Sequence, residues 1–150
     1  MAGMKALGRV LDVIPGASGI GISLKNASGI AFVARTSATG SATLAFTAAT
    51  SFGGSYNNAT TASGFGQPGT WYSRVASTAA WTSHAGSWST STLTVAATSS
   101  YASYVDFLVS ELADGYDYIK VTGVNTADLT AILYDLTVQR KPENLAIVSA

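Results

Sequence analysis

The chain has 150 residues, with eight basic and eight acidic side chains, one histidine and no cysteine. This length suits one domain, and the lack of cysteine excludes disulfides, thiolate metal sites and thiol nucleophiles. Zero net charge argues against a phosphate-binding nucleic-acid protein, while 47% hydrophobic residues supply enough apolar surface for a folded core.

Residues 1–25 combine helically spaced apolar side chains with a glycine-rich apolar run that follows Pro15. Two interpretations fit this stretch: an extended arm that reaches a neighbour, or a first strand that folds back onto its own sheet. We take the N-terminal arm as the working expectation. Residues 26–140 then form the folded domain, and residues 141–150 form a short C-terminal tail.

The domain region alternates apolar and polar residues with a period of two, which is typical of strands with one buried face. Leu44 and Phe46, for example, share one face of their strand, with threonines on the other. The pattern predicts an all-β fold, an antiparallel β-sandwich or a jelly-roll-like barrel. The predicted strands are Gly29–Arg35, Ala42–Thr47, Thr70–Ala76, Ala79–His84, Ser89–Ala96, Tyr104–Leu108, Tyr116–Thr122 and Leu129–Arg140.

Two connections stand out. Residues 123–126 are predicted to be the hairpin turn between the last two strands. Residues 51–69 form a long loop that contains Phe52, Tyr56 and Phe65. Long loops are uncommon in compact domains and are usually functional, so we expect this one to cover a neighbour or its own sheet edge.

Charge is distributed unevenly along the chain. Residues 1–35 carry four basic side chains and one acidic one (+3), and residues 106–150 carry seven acidic and three basic ones (−4). Between them, residues 36–105 contain a single formal charge, Arg74. Interface centres are depleted in charge and enriched in aromatic rings, so this neutral stretch favours contact with other proteins.

The histidine, serine and carboxylate side chains of the sequence do not form a recognisable catalytic pattern. His84 is the only histidine, and its serine neighbours lack the context of an activated nucleophile. Asp114 and Asp117 flank a turn and are more simply solvated turn residues than a carboxylate pair. We therefore expect no enzyme activity, no catalytic residues, no metal site and no cofactor. The aromatic residues Trp71, Tyr72, Trp81 and Trp88 leave a sugar-stacking platform open as an alternative.

The C-terminal third carries a family resemblance. Segments Leu112–Thr122 and Thr130–Leu145 resemble a small β-rich protein encoded among the virion structural genes of tailed phages of actinobacteria, and Leu11–Gly16 and Gly64–Gly69 are similar to it too. The resemblance implies a virion component of the capsid decoration or minor capsid type. It transfers no catalytic residue and leaves the place in the particle open.

The leading hypothesis is a decoration protein, made in the host cytoplasm and located on the capsid surface of the virion. Its expected partners are the major capsid protein and neighbouring copies of itself, with a trimer as one arrangement, and neither nucleic acid nor membrane. The alternatives are a tail or head-to-tail component and a glycan-binding surface adhesin. The predicted assembly contacts are Lys5, Leu7, Arg9, Leu11, Ile14, Phe52, Tyr56, Phe65, Trp71, Tyr72, Arg140 and Leu145.

Overall fold

A computed structural model describes residues 11–36, 42–60, 65–75, 79–95, 102–112, 115–124, 126–136 and 148–149. In this part of the chain the regular structure is almost entirely strand, with one 3-10 turn at Val109–Glu111. The strands are β1 (Leu11–Ile14), β2 (Gly21–Ser23), β3 (Gly29–Thr36), β4 (Ala42–Ala49), β5 (Asn57–Asn58), β6 (Thr70–Arg74), β7 (Thr82–Ala85), β8 (Trp88–Ser89), β9 (Thr92–Val95), β10 (Ala102–Leu108), β11 (Tyr118–Val124), β12 (Thr126–Tyr134) and β13 (Val148–Ser149).

The strands form two antiparallel sheets that pack as a β-sandwich, which confirms the predicted fold class. The first sheet has the order β1-β12-β3-β10-β6-β7. The second has the order β13-β2-β11-β4-β9-β8, and β5 pairs with β4 beside it. Neighbours in each sheet are mostly distant in sequence, so each sheet depends on long-range pairing.

Three phenylalanine rings join the sheets at the centre. Phe32 on β3 and Phe107 on β10 come from the first sheet, and Phe46 on β4 comes from the second. The ring centroid of Phe46 lies 5.8 Å from that of Phe32 and 4.9 Å from that of Phe107. All three side chains are almost fully buried, and the inclined ring geometries are ones that aromatic pairs favour. This contact sets which side of each strand faces inward.

The predicted strand Ser89–Ala96 is wrong in one respect, because the structure divides it into a hairpin. β8 and β9 pair as antiparallel neighbours, with Trp88 opposite Leu93. The chain turns at Thr90, whose φ of 55° lies in the left-handed region. A β-branched residue disfavours this conformation, so the sequence favours a continuous strand there and only tertiary packing imposes the turn.

The predicted hairpin at residues 123–126 is also wrong. β11 pairs with β2 and β4 in the second sheet, whereas β12 pairs with β1 and β3 in the first. The connection therefore passes from one sheet to the other. The alternation pattern of two consecutive strands is the same whether they pair with each other or face each other across a core, so it could not separate the two cases.

The arm expected at residues 1–25 is not an arm over its described part. Leu11–Ile14 pairs along its whole length with β12, and Gly21–Ser23 pairs with β11. Ile22 is fully buried in the core, so its burial stabilises the folded-back path. Residues 1–10 lie outside the described part. Within the expected tail at 141–150, Val148–Ser149 pairs with β2.

The long loop at residues 51–69 covers its own sandwich. Asn57–Asn58 pairs with β4, and Phe65 lies in the core with its ring centroid 5.4 Å from that of Phe107. Ala59 and Phe65 are 2% and 3% exposed and so anchor the loop in the core, whereas Phe52 is 42% exposed.

Phe46→Ala should lower the free energy of unfolding by about 3–5 kcal/mol, because it removes a ring that contacts both sheets and leaves a cavity. Phe52→Ala is the matched control, since the Phe52 side chain is 42% exposed, and we expect a loss below about 1 kcal/mol. Urea denaturation followed by circular dichroism measures both values. Equal losses in the two variants would contradict the central role of Phe46.

Candidate docking surface

The outer faces of the two sheets differ in chemistry. At one end of the second sheet's outer face, the loop residues Phe52 and Tyr56 pack on Tyr118 and Lys120. The rest of this face consists mainly of threonines that are at least partly exposed: Thr43, Thr47, Thr92, Thr94 and Thr122. Such a face remains hydrated at little cost, because each side chain has a polar group. It is the usual outer surface of a sandwich whose other face is buried.

The first sheet instead turns apolar and aromatic side chains outward. We call this surface the outer apolar face. Of the large hydrophobic side chains on it, Leu11, Val13, Tyr72, Trp81 and Leu108 are between 36% and 47% exposed. Its members are Leu11 and Val13 of β1, Val33 of β3, Tyr72 of β6, Trp81 just before β7, Tyr104 and Leu108 of β10, and Ile132 and Tyr134 of β12.

Strand register brings these side chains together. Val13 lies opposite Ile132, while Val33 lies opposite Tyr104, which in turn lies opposite Tyr72. Directly opposed residues project from the same side of a sheet, so the rows form one continuous surface. Val33, Tyr72, Trp81, Tyr104 and Ile132 line an open concavity of about 460 Å³.

The aromatic end of the concavity is preorganised by ring contacts. The Tyr104 ring centroid lies 6.1 Å from that of Tyr72 and 6.2 Å from that of Trp81. The Arg74 guanidinium carbon lies 5.1 Å from the Trp81 ring centroid, a cation–π distance. These contacts restrict the rings and so reduce the entropy that a partner's binding would have to remove.

Tyr134 lies across β3 at the other end of the face. A Cβ atom at Gly29 would overlap the Tyr134 ring, so only glycine leaves room for it. Across this gap the Tyr134 hydroxyl donates to the Phe107 carbonyl oxygen at 3.4 Å. Burial, followed by the nearby negative charge of Asp106, raises the pKa of Tyr134 from 10.0 to about 12.

Tyr104 behaves in the same way. Burial is the main cause that raises its pKa above 10.0, and Asp106 adds to the effect. Both phenols therefore keep their protons at neutral pH, because ionisation requires a much higher pH. The tyrosines accordingly contribute neutral rings to the surface.

Two of the predicted assembly contacts lie on the outer apolar face, namely Leu11 and Tyr72. Ile14 is half-buried and packs against the core. Phe52 and Tyr56 lie in the loop that packs on the second sheet: the Phe52 ring centroid lies 6.1 Å from that of Tyr118, and the Lys120 Nζ lies 4.3 Å from the Tyr56 ring centroid.

The predicted contacts at Phe65 and Trp71 are wrong, because each residue is only 3% exposed and so cannot contact a neighbouring protein from this fold. The Trp71 ring stacks on His84 with centroids 4.3 Å apart, and the His84 Nε2 lies 2.8 Å from the Ser73 hydroxyl oxygen. The remaining predicted contacts lie outside the described residues: Lys5, Leu7, Arg9, Arg140 and Leu145.

The four aromatic residues considered for a sugar platform do not share a face. Trp71 points inward, and Trp88 packs against the core with its ring centroid 5.3 Å from that of Phe46. Tyr72 and Trp81 point outward with Tyr104. Successive side chains of a strand point to opposite faces of the sheet, so aromatic residues that are neighbours in sequence lie on opposite faces.

Of the nine members of this face, sequence reasoning named only Leu11 and Tyr72 as assembly contacts and missed, among others, Val13, Val33 and Ile132. A signal was present at β3, where Ala31 and Val33 make the outward side apolar as well as the inward one. A strand that is apolar on both sides is typical of a sheet covered on both faces. Recognising the whole surface also needs the strand order, because its members come from distant parts of the chain.

The described residues contain no group of three or more side chains suited to bind a metal ion. No helix in that same part of the chain is long and apolar enough to span a membrane. In comparisons with protein-family models, curated proteins and solved structures, no match to this chain was found.

Gly29→Ala should displace the Tyr134 ring into solvent and lower its pKa from about 12 toward 10. In the wild type, the unfolded chain loses this proton near pH 10 and the folded chain only near pH 12, so stability falls as pH rises through that window. Difference absorbance against Tyr134→Phe isolates the titration. Gly69→Ala is the control, because a Cβ there meets no atom within 4 Å. An unchanged late-titrating tyrosine in Gly29→Ala would refute the close packing.

Proposed function

We propose that this chain is a structural component of a phage virion, a capsid decoration protein that binds the shell through the outer apolar face. The single observation that carries the proposal is the contrast between the two outer faces of the sandwich. A sandwich buries the inner face of each sheet, so nothing in its own stability requires the outer face of the first sheet to be apolar. The resemblance of the C-terminal third to virion structural proteins supplies the biological setting.

Exposed apolar side chains are unremarkable singly, but a contiguous patch usually marks an interaction site. Here the patch extends from Val13 on the first strand of the sheet through Val33 to Trp81 beside the last strand. Covering it with a protein partner removes this area from water, and the free energy gained is proportional to the apolar area buried.

The size of the face favours a repetitive partner. Six strands spaced about 4.8 Å apart and about five residues long span roughly 24 by 17 Å, or roughly 400 Å². A stable interface buries about 800 Å² per partner, so one such contact alone is weak. A shell offers many equivalent sites, and contacts between neighbouring copies then add to each weak one. Binding only to the assembled shell would stabilise it by mass action.

Charge composition is compatible with this partner. The neutral stretch at residues 36–105 contributes Tyr72, Trp81 and Tyr104 to the face, and its only formal charge, Arg74, lies over the Trp81 ring. Other charges on this side of the sheet are Asp106, between Tyr104 and Leu108 on β10, and the Arg35–Asp128 ion pair. A partner that leaves these groups hydrated or paired covers the apolar side chains at a low desolvation cost. We propose accordingly that the chain acts by contact and not as an enzyme.

A protein partner fits this surface better than a glycan. Sugar sites combine a stacking ring with polar side chains that converge on the hydroxyls. The concavity here is lined by two aliphatic side chains, two tyrosines and one tryptophan. Apolar side chains of a shell subunit match this lining more closely.

Val13→Lys and Tyr72→Lys should each reduce occupancy on purified capsids at least tenfold, because each places a charge in a contact that is dry in the complex. Cosedimentation with capsids stripped of the protein, quantified by mass spectrometry, measures occupancy. Thr43→Lys adds the same charge to the outer face of the second sheet and should bind as the wild type does. Loss of binding in Thr43→Lys alone would overturn the assignment of the face. Failure of the wild type to bind capsids, or specific binding on a glycan array, would overturn the proposed function.

Raising NaCl from about 0.1 M to about 0.5 M should weaken capsid attachment less than about threefold, because the proposed contact is apolar and screening acts on charges. The same cosedimentation assay at each salt concentration measures this. Complete release over that range would show that ion pairs hold the complex and would exclude the outer apolar face as the main contact.

A further inference from the structure

Among the described strands, four lie at the ends of the two sheets, and the two-residue strand β5, which pairs with β4 alone, adds a short edge. The first sheet ends at β1 and β7, and the second ends at β13 and β8. An edge strand carries unpaired backbone N–H and C=O groups, which can pair with a strand from another chain. Proteins that do not use an edge in this way protect it with very short strands, inward-pointing charges or proline.

Three of the four edges carry such protection. β8 and β13 are two residues long, which is too short to template a strand. β1 carries Asp12, whose side chain is 3% exposed between the outward-facing Leu11 and Val13, so a charge points inward from this edge. Pro15 follows β1 directly and ends its run of backbone donors.

β7 carries none of these features. Its four residues, Thr82–Ala85, include no proline and no formal charge, and three of the four are exposed. Among the described strands it pairs with β6 alone. Trp81, immediately before it, is 44% exposed. Of the four edges, β7 is thus the one that is both long enough and uncharged enough to accept another strand.

The hydrogen-bond pattern shows which groups of β7 are available. Gly86, next to the strand, donates its N–H to the Gly69 carbonyl oxygen at 2.8 Å, on the side of β6. In an antiparallel pair, residues alternate between pointing their backbone groups at the neighbour and away from it. Ser83 and Ala85 therefore direct N–H and C=O away from β6, toward the free edge.

This pattern permits one self-complementary pairing centred on Ser83. A two-fold axis there places Ser83 opposite Ser83 of a second copy, and it places Trp81 opposite Ala85 of that copy. Opposed residues lie on the same side of a sheet, as the odd-numbered positions of β7 require. The large indole of Trp81 then meets the smallest side chain of the strand, and the same contact repeats across the axis.

We propose that β7 is a dimerisation edge, which pairs antiparallel with β7 of a second copy around Ser83. The pairing joins the two first sheets into one continuous sheet and brings the two outer apolar faces side by side. It covers the exposed part of Trp81 with the partner chain. This inference stands on the edge itself, so it holds or fails independently of capsid binding.

The absence of cysteine in the chain makes the register directly testable. In Ser83→Cys the two Cα atoms across the axis are about 5.5 Å apart, within the range of roughly 4.4–6.8 Å that a disulfide spans. In Ala85→Cys, on the same strand and face, they are four residues apart along the ladder, or about 13 Å. Mild oxidation followed by non-reducing electrophoresis should give a covalent dimer at least tenfold faster with Ser83→Cys than with Ala85→Cys.

A second variant tests the backbone. Ser83→Pro removes an N–H that points away from β6, so the internal ladder is retained while the central intermolecular hydrogen bonds are lost. Sedimentation equilibrium should show dimers for the wild type and monomers for Ser83→Pro, with circular dichroism unchanged. Monomeric wild type at millimolar concentration, or equal cross-linking rates at positions 83 and 85, would overturn the proposal. Dimers that persist in Ser83→Pro would also overturn it.

Discussion

Contact between Phe46 of one sheet and Phe32 and Phe107 of the other holds the sandwich together, and the orientation of many other side chains depends on it. Because side chains alternate along a strand, placing Phe32 inward also places Val33 outward, and placing Phe107 inward places Leu108 outward. A shift of one residue in either strand would exchange the two faces. The apolar surface of the molecule is therefore a direct consequence of its core register.

The outer apolar face has a cost that the fold itself does not explain. Its side chains contribute little to the core, and a face of threonines like that of the second sheet would be better hydrated. Glycine has a low β-propensity, yet position 29 of β3 needs it, because any larger side chain would overlap the Tyr134 ring that lies across the strand. Burial raises the pKa of Tyr104 and of Tyr134 above 10.0, so these two phenols are uncharged at neutral pH. A surface built mainly from neutral rings and aliphatic side chains, with Asp106 and Arg74 beside them, is suited to contact with protein.

The edge strands of the two sheets also differ in charge and in length. Asp12 points inward on β1 and thereby discourages a strand from adding there, while the second sheet ends in two-residue strands. β7 is uncharged and lies beside the aromatic end of the outer apolar face. A partner strand at this edge and a partner surface on this face would be adjacent and would share Trp81, which lies at the border between the two.

The sequence by itself determined the all-β class, the positions of most strands and the inward side of strands with clear alternation, because period-two alternation is a local property of the chain. Leu44 and Phe46 against the threonines of β4 illustrate how far this goes. Only the tertiary structure decided which strands are neighbours. It separated β11 from β12, returned residues 11–14 to the sheet and buried Phe65 and Trp71. The outer apolar face needs that information, because Val13, Val33, Tyr104 and Ile132 meet only through pairing between distant strands, whose partners local alternation does not specify.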